Sequence, residues 1–353
     1  MTWIAISEGD HHYSRPDAAI VENGVLPRGT LLIETRLSAE GRPQNLLSFE
    51  RLHPQPYKFA LHAIPGGGLA LVVANGNDVF HTALSHDSRD RADILRISYS
   101  WDLHQRKGRL AIERPEYETV KAVTLEDAPA LLAEDVVAIT VDPRRRCLDR
   151  DVSFFAVSDQ VEPVGPAPTL SPDVPILTQT GYQPAGTLRR GDLVDTMESG
   201  LVPVLQAVSR VVPSCGSFQP VRLRAPYFGL LQDILVAPDQ RLVVGGSEVE
   251  YTFGREAVLV PARHLVNGTS AIRTSPGPVV RYCQLVMPRH ESLVAAGCLV
   301  ESLYLGRLRR NPDALAHSLL AGTDRAHLPE HARSSYSVVR PFEAVTLMMR
   351  RAA

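Results

Sequence analysis

Between Val161 and Pro175 the chain reads VEPVGPAPTLSPDVP, five prolines in fifteen residues. Each proline fixes φ and removes an amide donor, so no continuous helix crosses this stretch and the tract reads as an extended connection. A chain of 353 residues also exceeds the size at which one hydrophobic core keeps growing, so two cores meeting at this tract are expected. The expected division is a first domain over 1–162, a second over 163–310, and an extension over 311–353 that packs on the second.

The fold class is mainly β. In the first half, GTLLIETRLS (29–38), KFALHAI (58–64), GLALVVANG (68–76), DILRISYSWDLH (93–104) and GRLAIERP (108–115) are short and alternating or rich in β-branched residues. Gly, Pro, Asn or Asp separate them, as in an antiparallel sandwich. The clearest hairpin runs from Ile94 to Glu113, with Ile97, Tyr99 and Trp101 on one face and a polar turn ending in Gly108. TLEDAPALLAEDV (124–136) is expected to be helical or irregular before VVAITVD and VSFFAVS resume the strands. Beyond the proline tract, PILTQTG, DLVDTM, VPVLQAVSRVV, QPVRLRA, DILVAP, QRLVVGG, AVLVPARHLVNG and YCQLVMP continue the series. NPDALAHSLLAG (311–322) carries helical spacing behind an early proline, and SVVRPFEAVTLMM reads as a closing strand. No internal repeat or low-complexity tract is present.

The 37 basic and 39 acidic residues leave a net charge of −2 spread along the chain, which gives no field for a phosphate backbone. Nucleic acid is therefore not an expected partner. DPRRRCLDRD (142–151) alternates arginine with aspartate and reads as a solvated loop or edge strand. Cys147, Cys215, Cys283 and Cys298 fit neither zinc-ligand spacing nor a small disulfide framework and are expected as reduced core thiols. The N-terminal MTWIAISEGDHHYS lacks the features of a secretory leader, and no run has the length of a membrane span. The expected location is cytoplasmic, with leaderless export open. His11, His12, His62, His81, His86 and His104 fall among the first-half strands, where solvated loop histidines outnumber metal ligands, so no metal is assigned. ANGNDVF (74–80) suits a turn before a calcium or sugar contact. The three glycines of AIPGGGLAL precede a strand and not a helix, which disfavours a nucleotide site. No cofactor is expected.

Three pieces of the second half carry a resemblance. ILTQTGYQPAGTLRRGDLVDTMESGLVPVLQAV (176–208), DILVAPDQRLVV (233–244) and RHESLVAAGCLVES (289–302) look, in order and spacing, like the blocks of the Hint superfamily shared by hedgehog C-terminal domains and inteins, in a bacterial branch. The resemblance covers about Pro166 to Gly306. It implies an all-β domain in which Gly297 makes a tight step between the last two strands, with Ala295 and Ala296 small where backbones approach. The first half has a weaker resemblance to lectin- and laminin-G-like sandwiches, a fold that licenses no particular ligand.

In active members of the superfamily a cysteine thiol attacks the preceding carbonyl, a histidine protonates the departing amide nitrogen, and a terminal His-Asn releases the flank. Here the nucleophile position holds Thr169, the histidine position holds Gln240 with Ala237 three places earlier, and Glu301 and Ser302 stand where His-Asn is needed. A threonine hydroxyl needs a base, and a glutamine amide transfers no proton at useful pH. The reading is a degenerate autoprocessing site in a non-catalytic scaffold or interaction module. The rival is intramolecular cleavage at Pro168–Thr169 through Thr169, and a third reading makes the first half a carbohydrate-binding module. The partner would then be an unidentified protein or glycan. As plain structural residues, Thr169 is a strand entry, Gln240 a hydrogen-bonding turn residue, His290 a histidine bridging strands, and Glu301 a partner of Arg289 or Arg307.

Overall fold

The computed structural model describes residues 2–15, 24–37, 41–53, 55–86 and 93–352, without the side chains of 348–352. Met1, Ser38 and Ala353, which fall in segments read from the sequence, lie outside the described residues. The chain forms two compact units, one of residues 1–165 with 215–217, the other of 166–214 with 218–353.

The first unit is a sandwich of two antiparallel sheets. One sheet has seven strands, in the order Thr119–Glu126, Lys107–Arg114, Ile94–Asp102, Arg28–Arg36, Val152–Ser158, Trp3–Glu8 and His11–Ser14. The other is a four-stranded meander of Gln44–Arg51, Tyr57–Ile64, Gly68–Asn75 and Asp78–Ser85. Period-two alternation sends Phe49, Phe59, Leu61, Leu71 and Val73 of the meander, and Leu31, Ile33, Ile97, Tyr99 and Trp101 of the larger sheet, into one shared core. The Phe59 and Tyr99 rings meet at 6.0 Å, and Trp101 donates its indole N–H to the Leu26 carbonyl at 2.8 Å. Trp101 is thus a buried anchor, as its place in the hairpin predicts.

The second unit is also built of strands. Its nine-stranded sheet runs Gly181–Pro184, Pro175–Thr178, Leu193–Thr196, Ser292–Ala295, Cys298–Glu301, Arg241–Gly245, Ala257–Pro261 and Ser337–Val338, with Gly200–Pro203 paired to Leu193–Thr196. A two-stranded ribbon, Gln206–Pro213 with Val279–Val286, and a three-stranded sheet of Ile234–Val236, Val221–Leu223 and Ala271–Arg273 complete it. Among the described residues no helix is long and apolar enough to cross a membrane.

Several expectations are corrected. The helix of the first unit is Ala133–Val141, displaced towards VVAITVD, while 119–126 is strand. Ala133, Val136, Ile139 and Thr140 are buried at near-helical spacing, so one packed face outweighs the β-branched composition. Arg146 then donates to the Thr140 carbonyl at 3.1 Å and closes the helix end. Helix Pro312–Ala316 is shorter than 311–322 suggests, with Asn311 capping the Ala314 amide at 3.1 Å. After the two residues Ser337–Val338, the expected closing strand becomes helix Pro341–Ala352. Its proline starts the first turn, Glu343 accepts from the Arg340 amide at 2.6 Å, and Ala344 and Leu347 are fully buried one turn apart. All four cysteines are free, but Cys147 is exposed and only Cys215, Cys283 and Cys298 are buried.

Candidate functional site

The chain enters the second unit by threading between two of its sheets. Leu170 bridges both Val236 and Cys283: its amide donates to the Cys283 carbonyl at 3.0 Å and its carbonyl accepts from the Cys283 amide at 2.7 Å. The Ala237 amide donates to the Thr169 carbonyl at 2.7 Å, so the backbone of Thr169 is held as a short added strand. Gln240 follows strand Ile234–Val236 through a turn closed by its own amide on the Ala237 carbonyl at 3.0 Å. Thr169 and Gln240, the residues at the nucleophile and histidine positions, are therefore brought together.

The Thr169 hydroxyl donates to Gln240 Oε1 at 2.7 Å and accepts from Gln284 Nε2 at 3.0 Å. Gln284 Nε2 also lies 3.0 Å from Gln240 Oε1 and 3.1 Å from the Glu301 carbonyl. Gln240 Nε2 donates to the Arg241 carbonyl at 2.9 Å and the Glu301 carbonyl at 3.3 Å. Those two carbonyls settle the orientation of the amide, because a flipped Gln240 would set its oxygen against two acceptors. Gln240 is 0% exposed and Gln284 1%, so this network forms away from solvent. What faces the hydroxyl proton is an amide oxygen, which holds it without removing it.

Gln284 has no place among the residues the sequence singles out. Its signal is a lone amide in the apolar strand run YCQLVMP: a polar side chain buried in a strand must find partners, and here it finds them on Thr169, Gln240 and Glu301.

His290, Glu301 and Ser302 belong to the closing hairpin, Ser292–Ala295 with Cys298–Glu301. Ala296 and Gly297 turn it with φ of +48° and +93°. A Cβ on Gly297 would meet the Gly229 carbonyl at 2.6 Å, so the glycine marks a close backbone approach. Glu301 contributes its backbone carbonyl to the glutamine network and its carboxylate elsewhere, to Arg241 at 3.4 Å and His290 Nε2 at 3.3 Å. Arg241 thus replaces Arg289 and Arg307 as the partner, and Arg307 stands near Glu330. His290 Nδ1 accepts from the Ser335 amide at 3.0 Å, and its Nε2 stands 3.3 Å from the Glu301 carboxylate. Ser302 Oγ accepts from the Glu291 amide at 3.0 Å while its own amide returns to the Glu291 carbonyl. His290, Glu301 and Ser302 therefore tie the hairpin together by their side chains, and none of these bonds reaches the Thr169 hydroxyl.

Two features nearby had no sequence signal of their own. His331 accepts from the Leu305 amide at 3.1 Å, so its Nε2 faces the Met287 carbonyl as a donor at 3.1 Å, and burial lowers its pKa to about 4. Glu291 is 2% exposed, accepts from Ser199 Oγ at 2.9 Å, and has its pKa raised by burial, with Glu198 adding to the rise. Burial pushes the Cys283 and Cys298 thiols up to about 12, so neither supplies the missing thiolate. Among the described residues no three His, Cys, Asp or Glu side chains converge as a metal set.

Residues 168–307 match the family model of the Hint domain, beginning at the Pro168–Thr169 junction just described. This part of the chain is a Hint domain. Comparison with curated proteins gives no match. Among solved structures, the chain is similar to the CBM40 of the Ruminococcus gnavus IT-sialidase, at 18% identity over 45% of this chain and 91% of that one, TM-score 0.30. It is similar to the MchDnaB-1 intein at 14% identity over 38% of this chain and 98% of that one, TM-score 0.27. A leech intramolecular trans-sialidase in complex with 2,7-anhydro-Neu5Ac matches at 15% identity over 67% of this chain and 45% of that one, TM-score 0.28.

Proposed function

We propose that the Hint domain of this protein is a folded scaffold or interaction module whose autoprocessing chemistry has been lost. The observation that carries this reading is the 2.7 Å hydrogen bond from the Thr169 hydroxyl to Gln240 Oε1. An N→O acyl shift needs that oxygen to lose its proton as it attacks the Pro168 carbonyl, and the departing nitrogen needs a proton donor. General acid–base assistance is worth roughly 10²–10⁴-fold. Gln240 and Gln284 surround the Thr169 hydroxyl with amides where a titrating group would act, and His290 is bonded to Ser335 instead. The same polar residues support a structural role, because they join the entering segment, the turn at 237–240, the strand Val279–Val286 and the closing hairpin into one buried network.

Intact-mass measurement of freshly purified full-length protein tests the proposal. It predicts one species of 38.7 kDa. A fragment pair ending at Pro168 and starting at Thr169 would overturn it.

A further inference from the structure

At the outer end of the nine-stranded sheet, Ser337–Val338 pairs in parallel with Ala257–Pro261, through Val258 with Ser337 and Leu259 with Val338. The space between 255–257 and 333–338 is an open cleft of about 740 Å³, walled by Arg255 and Glu256 on one side and by Arg333, Ser334, Ser335 and Tyr336 on the other. Arg255 and Arg333 are exposed and, among the described residues, neither is in an ion pair with a carboxylate. Glu256 is the single acid on the cleft walls.

The serine wall is held in place from behind. Ser335 gives its amide to His290 Nδ1 at 3.0 Å, and beyond the strand the Val339 amide donates to the Leu259 carbonyl at 3.0 Å. Because Ser337–Val338 ends the sheet, no described strand pairs with its far edge. Val338 is 40% exposed there. A terminal strand with open backbone groups is a template for an added extended segment, and a fixed wall lowers the ordering cost of such binding.

We propose that this cleft and edge bind an extended acidic peptide of a partner protein, with main-chain pairing along Ser337–Val338 and carboxylates directed at Arg255 and Arg333. The ligand is set by charge complementarity: two unpaired guanidinium groups against one carboxylate favour an anionic segment, and guanidinium binds carboxylates in a bidentate fork. The cleft walls share no residue with the Thr169–Gln240–Gln284 network, so the binding test reads independently of the lost chemistry.

The test is fluorescence anisotropy of full-length protein with a labelled peptide of alternating aspartate and valine, and with an alternating lysine–valine peptide as control. Saturable binding of the acidic peptide that weakens with salt, and at least about a tenfold loss in R255E/R333E, is the expected result. The milder R255Q/R333Q variant should lose less than the reversal and keep the wild-type circular dichroism spectrum. No saturable binding up to about 1 mM would overturn the proposal, as would equal binding of the lysine–valine peptide or affinity untouched by charge reversal.

Discussion

Replacing Gln240 with methionine removes an amide while keeping a side chain of similar length and flexibility, so the apolar packing suffers little. Four hydrogen bonds disappear: those to Thr169, Gln284, and the carbonyls of Arg241 and Glu301. At a net worth near 1 kcal/mol for each bond the loss would reach ~4 kcal/mol. Part of it is recovered, because Gln284 still serves Thr169 and the Glu301 carbonyl. The expected destabilisation of the second unit is therefore about 2–4 kcal/mol, against about 1–2 kcal/mol for Thr169→Val, which removes the bonds to Gln240 and Gln284 but leaves Gln240 its other three partners. Equilibrium urea unfolding followed by far-UV circular dichroism measures the difference. Indole fluorescence localises it, since the two tryptophans, Trp3 and Trp101, both lie in the first unit. The double variant should cost less than the sum, because both changes delete the same bond. A shift for Gln240→Met under about 0.5 kcal/mol, or an equal shift for Thr169→Val, would refute the view that this network holds the domain together.

Three further outcomes are expected. Glu291 has its pKa raised in the folded protein, so its contribution to stability is present below the unfolded value near 4.5 and is lost as pH rises through the folded one; unfolding measured across pH should show Glu291→Gln lacking that decline and at least as stable as wild type at pH about 7. Gly297→Ala places a Cβ 2.6 Å from the Gly229 carbonyl at a φ of +93°, and thermal denaturation should show a loss of at least about 2 kcal/mol. Thiol titration of native protein should count one reactive cysteine, Cys147, and four after denaturation.

The fold was legible wherever period-two alternation was strong, because a half-buried strand announces itself by sending every other residue inward; the hairpin carrying Ile97, Tyr99 and Trp101 is the clearest case. Helices were legible less well. The first residues of Ala133–Val141 fall in the stretch expected to be helical or irregular, but VVAITVD is written in β-branched residues and reads as strand, since only the spacing of its buried face gives it away. Helix Pro341–Ala352 carried its signal in Pro341 and Glu343, outweighed by a valine- and methionine-rich run. At the site, the pairing of Thr169 with Gln240 follows from the resemblance, because the threaded entry segment brings block starts together. Gln284, Arg241 and Glu198 were out of reach for a different reason: their partners are set by which strands lie side by side, and strand order is not written in the local pattern.

The central claim is that the Thr169 oxygen does not attack the Pro168 carbonyl. An N→O shift changes no mass, so the direct measurement is trapping: prolonged incubation with neutral hydroxylamine, which cleaves an ester and spares an amide, followed by intact-mass analysis. The account predicts no reagent-dependent fragment ending at Pro168, for wild type and for Thr169→Ala alike, with any slow cleavage at Asn23–Gly24, Asn75–Gly76 and Asn267–Gly268 equal in the two. A fragment ending in a Pro168 hydroxamate, formed from wild type and absent from Thr169→Ala, would contradict it.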